Sequence, residues 1–147
     1  MSANYKRVKR LQAFQIALEE LQNSSFYKSI NGFPKYRIGK DGSVWCFRCI
    51  HNGSGTAKWK RLKGKQHKCK TRRYVRVHLH NYDREHKIKR SRLVFAHVLV
   101  LEAFKGPCPT GKESCHWDDD GLNNNIDNLR WDTRRRNVAD AIRNGSR

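Results

Sequence analysis

Long apolar runs are absent from the sequence, and none approaches the roughly 18 residues that a membrane-spanning helix requires. We therefore expect no membrane partner. Cysteines number only five, an odd count at irregular spacing, which argues against a disulfide framework and favours the reducing cytoplasm. Hydrophobic residues make up only 37% of the chain, but four Trp, five Tyr and six Phe argue against wholesale disorder. The 147 residues then fit one domain with a modest core.

Acidic residues are also scarce, and their placement is uneven. Against 32 Lys and Arg the chain has 13 Asp and Glu, which leaves a net charge of +19. Residues 58–92 carry +13 of this charge, whereas residues 105–133 carry −3. A strongly basic segment attracts a polyanion through counterion release, and the bound polyanion would then meet the acidic segment. Carboxylates there are unfavourable unless a cation stands between them and the phosphates. The charge pattern therefore predicts a nucleic-acid partner and a metal ion.

The N-terminal part of the chain predicts one helix and one hairpin. Residues 5–23 place apolar side chains at helical spacing, which is typical of an amphipathic packing helix. Residues 36–38 and 43–45 flank an Asp-Gly turn and predict a β-hairpin. Residues 50–71 are rich in Gly and Lys and have no apolar period, so we interpret them as a mobile basic loop.

The middle of the chain predicts two strands and a buried helix. Clean alternation over residues 74–80 predicts a strand, and a turn returns the chain to a second strand over residues 88–95. Helical spacing within residues 98–104 predicts a helix at the centre of the domain, and the Gly106-Pro107 pair ends it.

The C-terminal part predicts two short strands and a last helix. The strands cover residues 113–116 and 129–131, on either side of a polar loop. The helix covers residues 134–144, and its 3.6-residue period is expected to turn Val138 and Ile142 toward the core. A strand end and a helix face would thus meet around the loop.

One segment combines a histidine with amides and carboxylates. Cys115, His116, Asp118, Asn128 and Asn137 lie within 23 residues of an otherwise basic chain. A histidine can take a proton from water near neutral pH, and amide and carboxylate oxygens bind hard divalent cations. Because the surrounding chain attracts phosphates, this combination indicates metal-assisted cleavage of a phosphate backbone.

The string from His116 through Asn128 to Asn137 resembles the signature of HNH nucleases of the ββα-metal type, in the homing-endonuclease-like branch of phage and mobile introns. Residues 98–107 are similar to the helix and Gly-Pro turn that precede this signature. The resemblance implies that His116 is the general base and that Asn137 binds one divalent ion. It implies further that Asn128 fixes His116 through hydrogen bonds to the loop backbone. The implied ion is Mg²⁺, with Mn²⁺ as the alternative.

The resemblance extends toward the N-terminus, because residues 30–38 and 42–45 resemble a small motif often paired with the signature. It implies an α+β fold in which a small ββα-metal nuclease core follows an N-terminal helix and antiparallel strands. We expect the helix over residues 1–25, a basic DNA-binding region over 26–92 and the nuclease core over 93–147, the last two forming one compact unit. The implied setting is the cytoplasm of a bacterium or phage-infected cell.

The second metal ligand departs from the family pattern. Many relatives carry Asp or His directly before the catalytic histidine, where this chain has Cys115. A thiolate is a soft ligand, whereas Mg²⁺ prefers hard oxygen. Either Asn137 suffices with water and phosphate oxygens, or Asp118 supplies a carboxylate, or the metal is softer. Structural Zn²⁺ at Cys46 and Cys49 is not expected, because one Cys pair with imperfect partners does not make a zinc knuckle.

The expected partner is double-stranded DNA, and no small-molecule substrate is expected. The residues predicted to contact DNA are Lys58, Lys60, Lys63, Lys65, Arg72, Arg73, Arg76, His78, Arg134 and Arg135. The arginines at the start of the last helix are informative, because a positive charge there interacts unfavourably with the helix dipole. A bound phosphate would offset this unfavourable interaction.

Two other interpretations of the function remain. A catalytically inactive nucleic-acid-binding protein with the same fold is suggested by Cys115, although intact His116 and Asn137 favour the enzyme. An RNA-binding protein of the ribosomal type is suggested by the charge alone, and it leaves the ordered pattern of residues 115–137 unexplained.

Overall fold

The computed structural model of the protein describes residues 24–48, 58–69, 72–83 and 87–146. The helix predicted over residues 5–23 lies outside them. In chain order the elements are β1 (Tyr27–Ile30), β2 (Phe33–Gly39), β3 (Val44–Arg48), β4 (Lys58–Arg61), β5 (Lys65–Cys69), β6 (Arg72–Asp83), β7 (Ile88–Phe95), α1 (Ala96–Lys105), β8 (Glu113–His116), a 3-10 turn (Ile126–Asn128), β9 (Leu129–Asp132) and α2 (Arg134–Arg143). All pairings among these strands are antiparallel. The α+β class is as predicted.

The predicted hairpin is confirmed as β2 and β3, within a sheet of order β1-β2-β3-β4. Ile38 pairs with Val44 across the turn. Gly42 in this turn has a φ of 79°, which glycine adopts without the steric strain that a side chain would add. A Cβ at Gly42 would also lie 2.5 Å from the Asn124 side chain, so the turn packs directly against the polar loop near the C-terminus.

Residues 58–69 were predicted to lie in a mobile basic loop, and this prediction is wrong. They contain β4, which pairs with β3, and β5, which pairs with β6. Both are edge strands, and most of their side chains are exposed, so no apolar period marks them in the sequence. Backbone hydrogen bonds to a neighbouring strand, which any residue except proline can form, decide their conformation.

Helix α1 lies at the centre of the hydrophobic core, as predicted. Leu99, Val100 and Leu101 are buried against residues of the two larger sheets, such as Ile38 and Leu79. The β8–β9 hairpin contributes to the same core, and α1 contacts strands of all three sheets. None of the helices in the described ranges has the length and apolar character needed to cross a membrane.

The β8–β9 hairpin and α2 form where the sequence predicted them. Thr133 caps α2, its side-chain oxygen accepting a hydrogen bond from the Arg136 backbone N–H at 3.4 Å. The prediction that Val138 and Ile142 turn toward the core is wrong for Ile142, which is 61% exposed, whereas Val138 is half-buried. Asp140 and Ala141 are the buried residues of the helix, and Arg130 of β9 forms an ion pair with Asp140.

Candidate active site

His116 ends β8 and is buried, with 7% of its surface exposed. Its Nε2 lies 3.3 Å from Oδ1 of Asn124, which is itself buried. An amide oxygen only accepts hydrogen bonds, so the contact requires the proton of the neutral ring on Nε2 and leaves Nδ1 unprotonated. Nδ1 is then the nitrogen able to take a proton from water.

Burial lowers the pKa of His116 below its ordinary value of 6.5. The hydrogen bond that the ring donates to Asn124 and the charges of Asp118, Asp120 and Asp119 act in the opposite direction but do not cancel the effect of burial. The imidazole is therefore neutral at pH 7, which is the form that a general base requires.

Asn128 and Asp118 hold the loop that follows β8. Oδ1 of Asn128 accepts the backbone N–H of Asp118 at 3.1 Å, and its Nδ2 donates to Oδ1 of Asp118 and to the Asn123 carbonyl, both at 2.9 Å. Asn123 Nδ2 donates to the other Asp118 oxygen at 2.6 Å. Burial raises the pKa of Asp118, but these hydrogen bonds and one from the Asp120 backbone bring it below its ordinary value. Asn128 thus orders the loop, while the amide that contacts the His116 ring is Asn124.

Asn137, on the second turn of α2, lies beside β8. Its Nδ2 donates a hydrogen bond to Oε1 of Glu113, which leaves the single oxygen of this amide, Oδ1, as its acceptor atom. Asn137 and His116 both line one cleft of about 290 Å³, so the structure brings these two predicted site residues together. Cys115, predicted as a possible ligand, is only 1% exposed, and burial raises the pKa of its thiol to about 11. A protonated, buried thiol is a poor metal ligand.

The donor atoms around Asn137 suit a hard divalent ion. The Asn137 amide oxygen and the Glu113 carboxylate are the ligand types that Mg²⁺ and Mn²⁺ take. In the part of the chain that the structure describes, no group of three His, Cys, Asp or Glu side chains is arranged to hold a metal ion. Of the pair considered for zinc, Cys46 lies in β3, and Cys49 lies outside the described residues.

Two aromatic residues and a second histidine, not singled out in the sequence, line the same cleft. They are Tyr74, Phe95 and His97, and the His97 ring meets the His116 ring edge-to-face at 4.9 Å between centroids. Burial, followed by the charge of His116, lowers the pKa of His97 to about 3. Its Nδ1 is buried and has no hydrogen-bond partner among the described residues. A histidine within the apolar run of α1 was the signal available in the sequence.

We expect the stability of the protein to depend on pH through His97. Its folded pKa of about 3 lies below the ~6.5 of an unfolded histidine, so the unfolded chain binds more protons between these values. The free energy of unfolding is therefore retained above pH 6.5 and falls as the pH drops toward 3, by up to about 1.4 kcal/mol per pH unit. Urea unfolding of the wild type and His97→Phe between pH 7 and 5 measures this, and the variant should show the flatter dependence. Exposed His78, changed to Phe, is the control; equal slopes for all three proteins would contradict the assignment.

Several of the predicted DNA-contacting residues lie beside the cleft. Lys63, Lys65, Arg76 and His78 line a groove of about 520 Å³, and His67 lines both this groove and the cleft. The groove therefore adjoins the cleft that contains His116. Lys60, Arg73, Arg134 and Arg135 are exposed, and Lys58 lies in β4.

Two of the predicted DNA contacts form ion pairs with other residues in the described part of the chain. Arg72 forms an ion pair with Asp119 at 2.7 Å. Asp119 lies in the loop after β8 and has a φ of 62°. Arg134 lies 3.4 Å from Glu113, and the Arg134 side chain is 70% exposed. Arg72 thus ties the loop to β6 at the cleft, which Arg72 and Asp119 both line, whereas the Arg134 side chain is largely exposed.

Comparisons with known proteins address the same region. Residues 94–139 match the family model described as HNH endonuclease. Among solved structures, the chain is similar to that of the HNH homing endonuclease I-HmuI, a protein that binds and cleaves DNA. The two share 25% sequence identity over 82% of this chain, with a TM-score of 0.56, and the match spans 60% of the I-HmuI chain. No curated protein matches the chain.

Proposed function

We propose that this chain, a member of the HNH endonucleases of the homing-endonuclease-like type, is a metal-dependent endonuclease that hydrolyses the backbone of double-stranded DNA. The observation that carries the proposal is the contact between His116 Nε2 and Asn124 Oδ1 in a cleft that also contains Asn137. A neutral imidazole with its second nitrogen available and an amide oxygen suited to a hard cation then share one site.

The proposed reaction begins with proton transfer. His116 Nδ1 takes a proton from a water molecule, whose oxygen attacks the phosphorus while the bond to the 3′ oxygen breaks. Asn124 holds Nε2 of the ring during this transfer, and the charges of Asp118 and Asp120 favour the imidazolium that forms. The departing 3′ oxygen takes a proton, so the products are a 3′ hydroxyl and a 5′ phosphate.

Asn137 would hold the metal ion in this proposal, and Asn128 would keep the loop after β8 in place. A bound divalent ion supplies positive charge that stabilises the phosphate and the leaving oxygen. We also propose that residues 26–92 and 93–147 act as one compact unit, because β7 continues directly into α1 and strands from both regions share one core.

DNA binding is proposed along the groove next to the cleft. The groove carries Lys63, Lys65 and Arg76, and it adjoins the cleft at His67, which lines both. A phosphate backbone lying in the groove would therefore lead to His116. The net charge of +13 over residues 58–92 supports such a path.

We expect log affinity for duplex DNA to fall with log salt at a slope of about −5 to −6, as for roughly five to seven phosphate contacts. Changing Lys60, Lys63 and Lys65 to Gln should flatten the slope by about 2 to 3, because each contact contributes about −0.9. All three side chains are exposed, so the fold should persist. Fluorescence anisotropy across a salt series measures the slope.

The matched control changes Lys35, Lys40 and Lys112 to Gln, which removes the same charge outside both this groove and strand β4. It should leave the slope within about one unit of the wild type. Equal effects of the two triple variants would place the DNA elsewhere, over Arg73 and the arginines of α2.

The proposed activity is tested by incubating supercoiled plasmid with the purified chain in Mg²⁺, in Mn²⁺ and in EDTA. Conversion to nicked or linear plasmid with either metal, and none in EDTA, is the expected result. A non-catalytic DNA-binding protein with this fold is the second candidate, favoured by the buried Cys115 at the position of a usual ligand. It predicts binding without conversion under all three conditions.

A further inference from the structure

Glu113 is the carboxylate next to Asn137. It begins β8, two residues before Cys115, and in a strand residues two apart lie on the same face. Oε1 of Glu113 accepts the hydrogen bond from Asn137 Nδ2, so the two side chains already meet. The Glu113 side chain is 35% exposed, whereas Cys115 is 1% exposed. An ion that reaches Asn137 therefore also reaches Glu113, but not the sulfur of Cys115.

We propose that Glu113 is the second protein ligand of the divalent ion, in place of the residue at position 115. This inference rests on the proposed function. Glu113 would supply the oxygen ligand that Cys115, directly before His116, does not. A carboxylate oxygen and an amide oxygen form a hard donor pair with one negative charge, which suits Mg²⁺ or Mn²⁺.

The other carboxylates near the site are engaged elsewhere. Arg130 forms ion pairs with both Asp132 and Asp140. Both oxygens of Asp118 accept hydrogen bonds within its own loop, and Asp119 is paired with Arg72. Recruiting any of these carboxylates would break a pairing that holds β9, α2 or the loop.

Glu113, in contrast, forms only an exposed ion pair among the described residues. Its partners are the Asn137 amide and the Arg134 guanidinium, which lies 3.4 Å from Oε1 of Glu113. The Arg134 side chain is 70% exposed. Rotating the Asn137 amide would exchange its donor for an acceptor, so that two oxygens face the same point. Arg134 could then turn from Glu113 to a DNA phosphate, since an exposed ion pair contributes little.

The test measures metal binding rather than cleavage. Mn²⁺ is titrated into the full chain in the presence of a short DNA duplex, and free Mn²⁺ is followed by electron paramagnetic resonance, with Asn137→Ala as the baseline lacking the site. We expect Glu113→Gln to weaken Mn²⁺ affinity about tenfold or more. Glu102→Gln is the matched control, because Glu102, on α1, pairs with Arg92 of β7 and lines a different cavity. It should bind Mn²⁺ as the wild type does.

A second variant tests the same idea in the opposite direction. Glu113→Asp keeps a carboxylate on the same face of β8, and we expect it to retain part of the Mn²⁺ affinity that Glu113→Gln loses. Circular dichroism checks that each variant is folded.

The outcomes separate this proposal from the proposed function. Wild-type affinity in Glu113→Gln, with binding lost in Asn137→Ala, overturns the role of Glu113 and leaves the metal-dependent nuclease intact. Loss in Asp118→Asn instead would also overturn it and would assign the ligand to the loop. Absence of Mn²⁺ binding by the wild type overturns both. Loss in Glu113→Gln supports the ligand assignment, even if the plasmid assay shows no cleavage.

Discussion

His116→Ala should lower the rate of DNA cleavage by at least about 100-fold, which is the usual effect of removing a general base. The reason lies in the geometry, because Asn124 fixes the proton on Nε2 and leaves Nδ1 as the base. Affinity for duplex DNA should remain nearly unchanged, since His116 is buried in the cleft and carries no charge at pH 7. Plasmid cleavage and anisotropy on the same preparations measure the two quantities.

His80→Ala provides the control, because His80 is exposed on β6 and lines neither the cleft nor the adjoining groove. The wild-type rate should also rise with pH along a single ionisation centred below 6.5, since burial lowers the pKa of His116. Cleavage at the wild-type rate by His116→Ala would exclude His116 as the base. It would direct attention to His97, the other histidine that faces it.

Removing divalent metal should abolish cleavage, and this is the second large effect. EDTA is expected to stop the reaction, and Mg²⁺ or Mn²⁺ should restore it, because the phosphate and the leaving oxygen then regain their counter-charge. Asn137→Ala should raise the Mg²⁺ concentration needed for the half-maximal rate, since its amide oxygen would hold the ion. Metal titrations of the cleavage rate measure both effects.

Cys115→Asp sharpens the same measurement. If the thiol is only tolerated at this position, the variant should keep or raise activity in Mg²⁺, because a hard oxygen replaces a soft sulfur next to His116. Cys115→Ser is the control of similar size without the negative charge. Persistent cleavage in EDTA would refute metal dependence, and loss of activity in both Cys115 variants would reveal a role for the thiol.

Local signals were enough to predict the central helix and the C-terminal elements. In α1 the apolar residues recur at helical spacing, and a Gly-Pro pair follows the helix; in α2 the capping residue Thr133 directly precedes the helix. Apolar and polar residues alternate in β6, and β7 follows a turn, so the positions of both strands were also predicted. Such signals depend on neighbours within a few residues, which the sequence displays directly.

Pairings over longer distances were not visible in the same way. Strands β4 and β5 have exposed, basic side chains, and only their hydrogen bonds to β3 and β6 make them strands. The orientation of α2 was mispredicted for a related reason. Asp140 is buried in an ion pair with Arg130 while Ile142 is exposed, and no local pattern announces such a pair.

For the site, the sequence by itself determined which chemistry is present: a histidine and two asparagines at the spacing of His116, Asn128 and Asn137, within a strongly basic chain. That spacing is a property of one short hairpin and its following helix, so it can be read along the chain. Only the tertiary structure decided which side chains contact His116 and Asn137. Asn124 meets the His116 ring, and Glu113 meets Asn137, because the loop folds back and α2 packs across β8. Contacts of this kind depend on directions in space, which a linear pattern of residues does not contain.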